Sequence, residues 1–158
     1  MTTIRGLLHK FGLTKLKLRA GFLEADWEPH EADRDAAWEL YVELLTRIAT
    51  QPLSAEHGDE KTALDSVYAV FPITRGILRG KGRECVQFTK IAVVVLNQVV
   101  RPFTARWHKL SLEGAFDEGD RCAEFRAELA ALQQDLRDYT RLLAEIADVE
   151  DLTDMPSE

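Results

Sequence analysis

The chain holds little that would staple it, anchor it or do chemistry. Only two of its 158 residues are cysteine, Cys85 and Cys122, too few for a disulfide framework and in keeping with a reducing cytoplasm. The longest uninterrupted apolar run, residues 91–96, is far shorter than the roughly 20 residues a membrane helix requires. The first residues carry cations but no long apolar stretch before a small-residue cleavage site, so no secretory leader is expected. Histidine is scarce: His9, His30, His57 and His108. None follows a glutamate at the Glu-x-x-His spacing of di-iron bundles, and neither His-x-x-x-His nor Cys-x-x-Cys occurs. A phosphate-cradling loop after a strand is also missing, because Gly80-Lys81-Gly82 follows a helical stretch and reads as a turn. No metal, no cofactor and no catalytic residue is therefore expected. Cys85 and Cys122 each fall near a predicted helix start, where a thiol can become reactive, but free cysteines more commonly serve as small buried hydrophobes.

What is present is an ordinary globular composition, 46% hydrophobic and 30% charged, long enough for one domain with a real core. Charge is uneven. Residues 1–20 carry Arg5, Lys10, Lys15, Lys17 and Arg19 and no acid, whereas the whole chain sums to −7. An acidic body argues against broad nucleic-acid binding, which rests on neutralising phosphates. The basic head suits an acidic surface, a membrane or the protein's own acidic body.

Periodicity predicts the elements. Ile4, Leu7, Leu8 and Phe11 suggest a short helix weakened by Gly6 and Gly12. Residues 15–27 open with strict alternation, Lys15, Lys17 and Arg19 against Leu16, Leu18 and Ala20. That period of two is a strand signal, but no mate is evident elsewhere, so an extended arm packed on helices competes with a true strand. Trp38, Tyr41, Leu44, Leu45 and Ile48 mark one face of a helix capped by Asp33 or Asp35 and ending at Gln51 before Pro52. A second helix runs from about Glu60 over Leu64, Val67, Tyr68 and Phe71. Pro72 then demands a kink or a new helix with proline in its first turn. A third runs from about Arg83 to Lys109 with the seam Phe88, Ile91, Ala92, Val95, Val99, Phe103 and Trp107. Val93, Val94, Leu96 and Val100 are apolar off that seam, so this helix is expected to be central and bent at Pro102. The fourth, about residues 120–149, steps 4, 3, 4, 3, 4, 3 through Phe125, Leu129, Leu132, Leu136, Tyr139, Leu143 and Ile146, a heptad seam. The expected fold class is all-α: an antiparallel four-helix bundle over residues 28–150, with an N-terminal extended or single-strand basic arm over 1–27 and an acidic disordered tail over 151–158.

Unusual side chains converge in one place. Arg101, Arg106, Trp107, His108 and Lys109 fall within about two turns. Arginine forks take carboxylate or phosphate, tryptophan offers a stacking plane, and histidine titrates near neutrality. A ligand- or partner-binding patch competes here with a solvated helix end whose cations suit the C-terminal dipole and whose Trp107 lies in the core. Asn97 and Gln98, amides in an apolar run, suggest structural pairing with another polar group rather than a ligand contact.

The segments AAWELYVELLTRIATQPL (36–53), GDEKTALDSVYAVF (58–71) and VLNQVVRPFTARWHKLSLEGAF (95–116) resemble a recurrent set of bacterial all-α proteins. The resemblance implies a bacterial, cytoplasmic origin and a link to multi-gene defence systems. The leading functional expectation is a non-enzymatic interaction or adaptor module, meeting another protein chain through the arm at residues 15–27 or through a fourth-helix face, or forming a homo-oligomer. A small-ligand or nucleotide sensor with a cationic-aromatic pocket at Arg101, Arg106, Trp107 and His108 is the alternative, and docking of residues 1–19 on a membrane surface is a third.

Overall fold

The computed structural model describes residues 2–17, 21 and 24–155, and over these the chain is all-α. The helices are α1 (Ile4–Lys10), α2 (Glu31–Leu45), α3 (Glu60–Tyr68), α4 (Val70–Lys81), α5 (Val86–Val95), α6 (Arg101–Leu112) and α7 (Gly119–Ala147). Short 3-10 turns at Gly82–Cys85 and Ala115–Asp117 punctuate them. α3 and α4 meet at Ala69 to form one bent rod, and α5 and α6 are joined by the π turn Leu96–Val100 into another. With α2 and α7 these make the four rods of a helical bundle. None of the described helices is long and apolar enough to cross a membrane.

Both prolines act through their missing amide. Pro72 falls in the first turn of α4, where no intrahelical donor is needed. Pro102 likewise opens α6. Just before it the Arg101 amide reaches back five residues to the Leu96 carbonyl, so the rod widens to a π turn. One inserted residue shifts the seam: burial passes from Val95 and Leu96 to Val100, Phe103 and Trp107, leaving Val99 half-buried. The apolar composition predicts a central rod, but one face of it is open to solvent. Val86 and Val93 are 49% and 44% exposed, so its outer face is open.

The heptad seam of α7 is buried along its whole length, together with Gln133, Thr140, Leu142 and Ala144. α7 packs most extensively on α2. The seam is therefore spent inside the chain, and the expectation that it engages a partner helix is corrected. α7 also fastens the connector between α2 and α3 through polar side chains. Arg126 donates to Glu60 at 2.8 Å and to the carbonyls of Ser54 at 3.0 Å and Gly58 at 3.1 Å. Gln133 donates to the carbonyls of Ile48 at 2.7 Å and Gln51 at 2.6 Å. These bonds satisfy loop carbonyls that no helix ladder serves. α2 itself stops at Leu45, earlier than the expected Gln51, because the Thr50 hydroxyl and the Gln51 amide fold back to its last carbonyls at Leu44 and Leu45. Asp33 is the cap at the other end, as anticipated, but it acts from inside the first turn. One oxygen accepts from the His30 amide at 2.7 Å and the other from the Phe88 amide at 2.8 Å, tying the starts of α2 and α5 together within the core.

The arm is part of the domain. Ile4, Leu7 and Leu8 of α1 and Leu13 after it are core residues. The strand signal over 15–27 falls partly on residues 18–20 and 22–23, outside the described residues. Its described parts find partners inside the chain. Thr3 and Asp26 form an antiparallel bridge, flanked by Ile4 N–H to Ala25 O at 3.0 Å and Trp27 N–H to Thr2 O at 2.8 Å. Lys17 is paired through both backbone groups with the Gln98 side chain, each bond 2.7 Å. Gln98 thus does make the structural pairing read from the sequence, but at the surface rather than in the core. The end of the chain is also held where it is described: the Tyr41 hydroxyl donates to Glu150 O and accepts from Leu152 N–H, Arg141 pairs with Asp154, and Thr153 is buried. Disorder expected from residue 151 onward does not apply to residues 151–155.

Candidate functional site

The five side chains singled out between Arg101 and Lys109 do not converge. On α6 they leave the helix in different directions, and each is met differently. The Arg101 guanidinium lies 4.7 Å from the centre of the Phe71 ring on α4, and its Nε donates to Asn97 at 3.2 Å. Arg106 pairs with Glu124 and, at 3.3 Å, with Glu128 of α7, while its guanidinium covers the Trp107 ring at 5.3 Å. Trp107 is fully buried. Its indole N–H donates to Glu128, and its ring stacks on Phe116 and meets Phe125 edge-on at 5.2 Å. Arg106 and Trp107 therefore join α6 to α7, and this half of the patch is structural. His108 and Lys109 are exposed.

What remains is smaller. His108 and Thr104 share a hollow of about 330 Å³ with Lys61, Leu64, Asp65 and Tyr68 of α3. Lys61 is already paired with Asp65 at 2.8 Å. Tyr68 is 55% exposed and packs against Phe71 at 5.7 Å. Arg101 sits one turn earlier on α6, beyond that same Phe71 ring.

A second feature lies where the sequence reading placed only core. The spacing puts Trp38 on one face with Tyr41 and Leu44, yet Trp38 is 47% exposed, as is Val42 one turn on at 45%. The true inner face is Ala36, Ala37, Leu40, Tyr41 and Leu44. Trp38 and Val42 form one wall of a groove of about 490 Å³, with Pro72, Ile73, Gly76 and Ile77 of α4 as the other. Glu39 and Glu43 stand on its rim. Glu39 is bonded to Lys81 at 2.6 Å, which raises the lysine pKa, and Glu43 to Arg47 at 2.8 Å. The spacing carries the signal: Asp35, Trp38, Val42 and Thr46 fall on a stripe of their own, on the side away from Ala36, Ala37 and Leu40.

Both cysteines stand at a helix start as expected, Cys85 at the cap of α5 and Cys122 in the first turn of α7. Cys85 is buried with its thiol 3.2 Å from the Gly82 carbonyl. Cys122 donates to the Phe116 carbonyl at 3.2 Å, and burial raises its pKa, which keeps it a thiol. Among the described residues no three His, Cys, Asp or Glu side chains are grouped as a metal would need. Comparison with protein families, with curated proteins and with solved structures finds no match to this chain.

Proposed function

We propose that this chain is a non-enzymatic helical interaction module, one component of a bacterial multi-protein assembly of the kind found in defence systems. One observation carries the reading: a half-exposed tryptophan, flanked by an exposed valine, forms the open wall of the groove between α2 and α4. Trp107, Phe88 and Phe125 of the same chain are sealed inside, so the core does not lack room for aromatics. Tryptophan is the side chain most over-represented at the energetic centres of protein interfaces. The arm and the α7 seam, the faces first expected to meet a partner, are occupied by the chain's own core, and the groove takes their place in the reading. A photo-crosslinking residue at position 42 in the source cells should give discrete adducts that vanish in Trp38→Ala and that do not arise from position 130 on the exposed side of α7. Equal adducts at both positions, or none at 42, overturn the reading.

The hollow at His108 favours a second reading, a sensor for a small anionic ligand held by His108, Lys61 and the neighbouring Arg101. A nucleotide or phosphate would then raise the melting temperature, and His108→Ala would abolish the rise. Arg106→Ala is the wrong probe, because Arg106 serves α7. No shift with any nucleotide retires the sensor.

A further inference from the structure

The charges of this chain alternate in blocks, and folding sorts them. Residues 66–112 hold eight lysines and arginines against one acid, Glu84. Residues 21–65 hold twelve acids and three such cations, and residues 113–158 fourteen acids and four. The two acidic blocks supply α2 and α7, which pack on each other. The basic block supplies α4 and the α5–α6 rod, and the basic head joins it where Lys17 is tied to Gln98. Of the eight cations, Lys81 and Arg106 have acidic partners. Arg75, Arg79, Arg83, Lys90, Arg101 and Lys109 form no ion pair among the described residues.

Each pole also carries bare apolar surface. Val86, Lys90 and Val93 follow one another at steps of four and three, so they share the outer face of α5, and Arg83 stands in the turn just before it. The two valines lie one heptad apart and are each nearly half exposed. On the acidic side Trp38 and Val42 wall the groove, and Trp38 also borders a hollow with Asp35, Asp148 and Val149, the valine 37% exposed. Ile73 and Gly76 of α4 look into the groove.

We infer that the occupant of the groove is a second copy of this chain, which presents the valine-and-cation face of its rod to the Trp38 wall of its neighbour, where Asp35 and Asp148 form no ion pair among the described residues. The inference rests on the interaction-module reading and names the partner. Opposite charge around matching apolar strips is the complementarity that orients protein association. Because the two surfaces are different, the contact is heterologous. It leaves one free surface at each end and builds rings or filaments rather than a two-fold dimer.

The test is light scattering on the full chain. At roughly 50 mM salt the average mass should rise with concentration to at least twice that of the monomer, and at roughly 500 mM, where screening shortens the reach of charge, it should fall back. Val86→Asp with Val93→Asp breaks one surface, and Val42→Asp breaks the other. All three substitutions are at exposed positions, and unchanged melting temperatures confirm that both variants fold. Each variant alone should be monomeric. Mixed, they retain one intact pair of surfaces and should give a dimer and nothing larger. A wild type that stays monomeric at low salt, a single variant that still assembles, or a mixture that fails to dimerise overturns self-assembly. A monomeric wild type whose position 42 nonetheless crosslinks to a different polypeptide would overturn self-assembly and leave the interaction module standing.

Discussion

Two tryptophans, on α6 and α2, show how the same side chain is spent in opposite ways. Trp107 has no exposed surface, is held edge-on by Phe125 and bonds Glu128 through its indole N–H. Trp38 is 47% exposed, and its ring packs only obliquely on Tyr41 at 5.9 Å. The first has committed its area to the fold, while the second still has area to give. Substituting each by alanine is the most forceful way to break the comparison. Trp107→Ala removes a fully packed ring and leaves the Glu128 carboxylate with Arg106 alone, and should cost about 3–5 kcal/mol. Trp38→Ala should cost under about 1 kcal/mol in the isolated chain. Denaturant titration of both variants decides it. Equal losses would mean that Trp38 belongs to the core after all.

The aspartates repeat the contrast. Asp33 is buried and serves two amides, one on its own helix and one on α5. Asp59 is at the surface and caps only α3, accepting from the Thr62 amide at 2.8 Å and the Thr62 hydroxyl at 2.7 Å. Asp33→Ala would strand the Phe88 amide in the core, so a loss of about 2–4 kcal/mol is expected. Asp33→Asn keeps one acceptor and should lose less. If the two variants melt alike, the link between α2 and α5 is not made by hydrogen bonding.

The long elements were legible because their signals are repetitive. The seven seam positions of α7 repeat the same contact, and all seven are buried. Proline is equally legible, since its missing amide constrains any helix: both Pro72 and Pro102 start one. Illegible were the features that depend on what lies across from a residue. A stripe through Trp38, Tyr41 and Leu44 looks like one face, but a rotation of less than half a turn separates the buried Tyr41 from the exposed Trp38, and only the position of α4 decides which side is covered. Arg106 and Trp107 drew notice as a ligand patch because their partners, Glu124 and Glu128, are on another helix. The strand signal lacked a mate because the mate is residues 2–4, beside it in space and too short to read. The sorting of charge into poles was written in the composition all along, but only the pairing of α2 with α7 turns blocks of sequence into faces.

The smallest expected effect belongs to Asp59. Its bonds to Thr62, hydroxyl first and amide second, hold its pKa below the ordinary carboxylate value. A carboxyl with a lower pKa folded than unfolded stabilises the fold at every pH above its unfolded value, near 4, and that contribution disappears as pH falls through the folded value. The position also places a negative charge at the start of α3, where the helix dipole favours it. Asp59→Ala should therefore melt slightly below wild type at pH 7, and the gap should close as the pH is taken well below 4. Asp59→Asn keeps a capping oxygen without the charge, so it should fall between the two at pH 7. A gap between Asp59→Ala and wild type that is the same at both pH values would mean that the carboxylate is not what starts α3. The last residues of the loop, already fixed by the bonds of Arg126 to Ser54 and Gly58, would then position the helix by themselves.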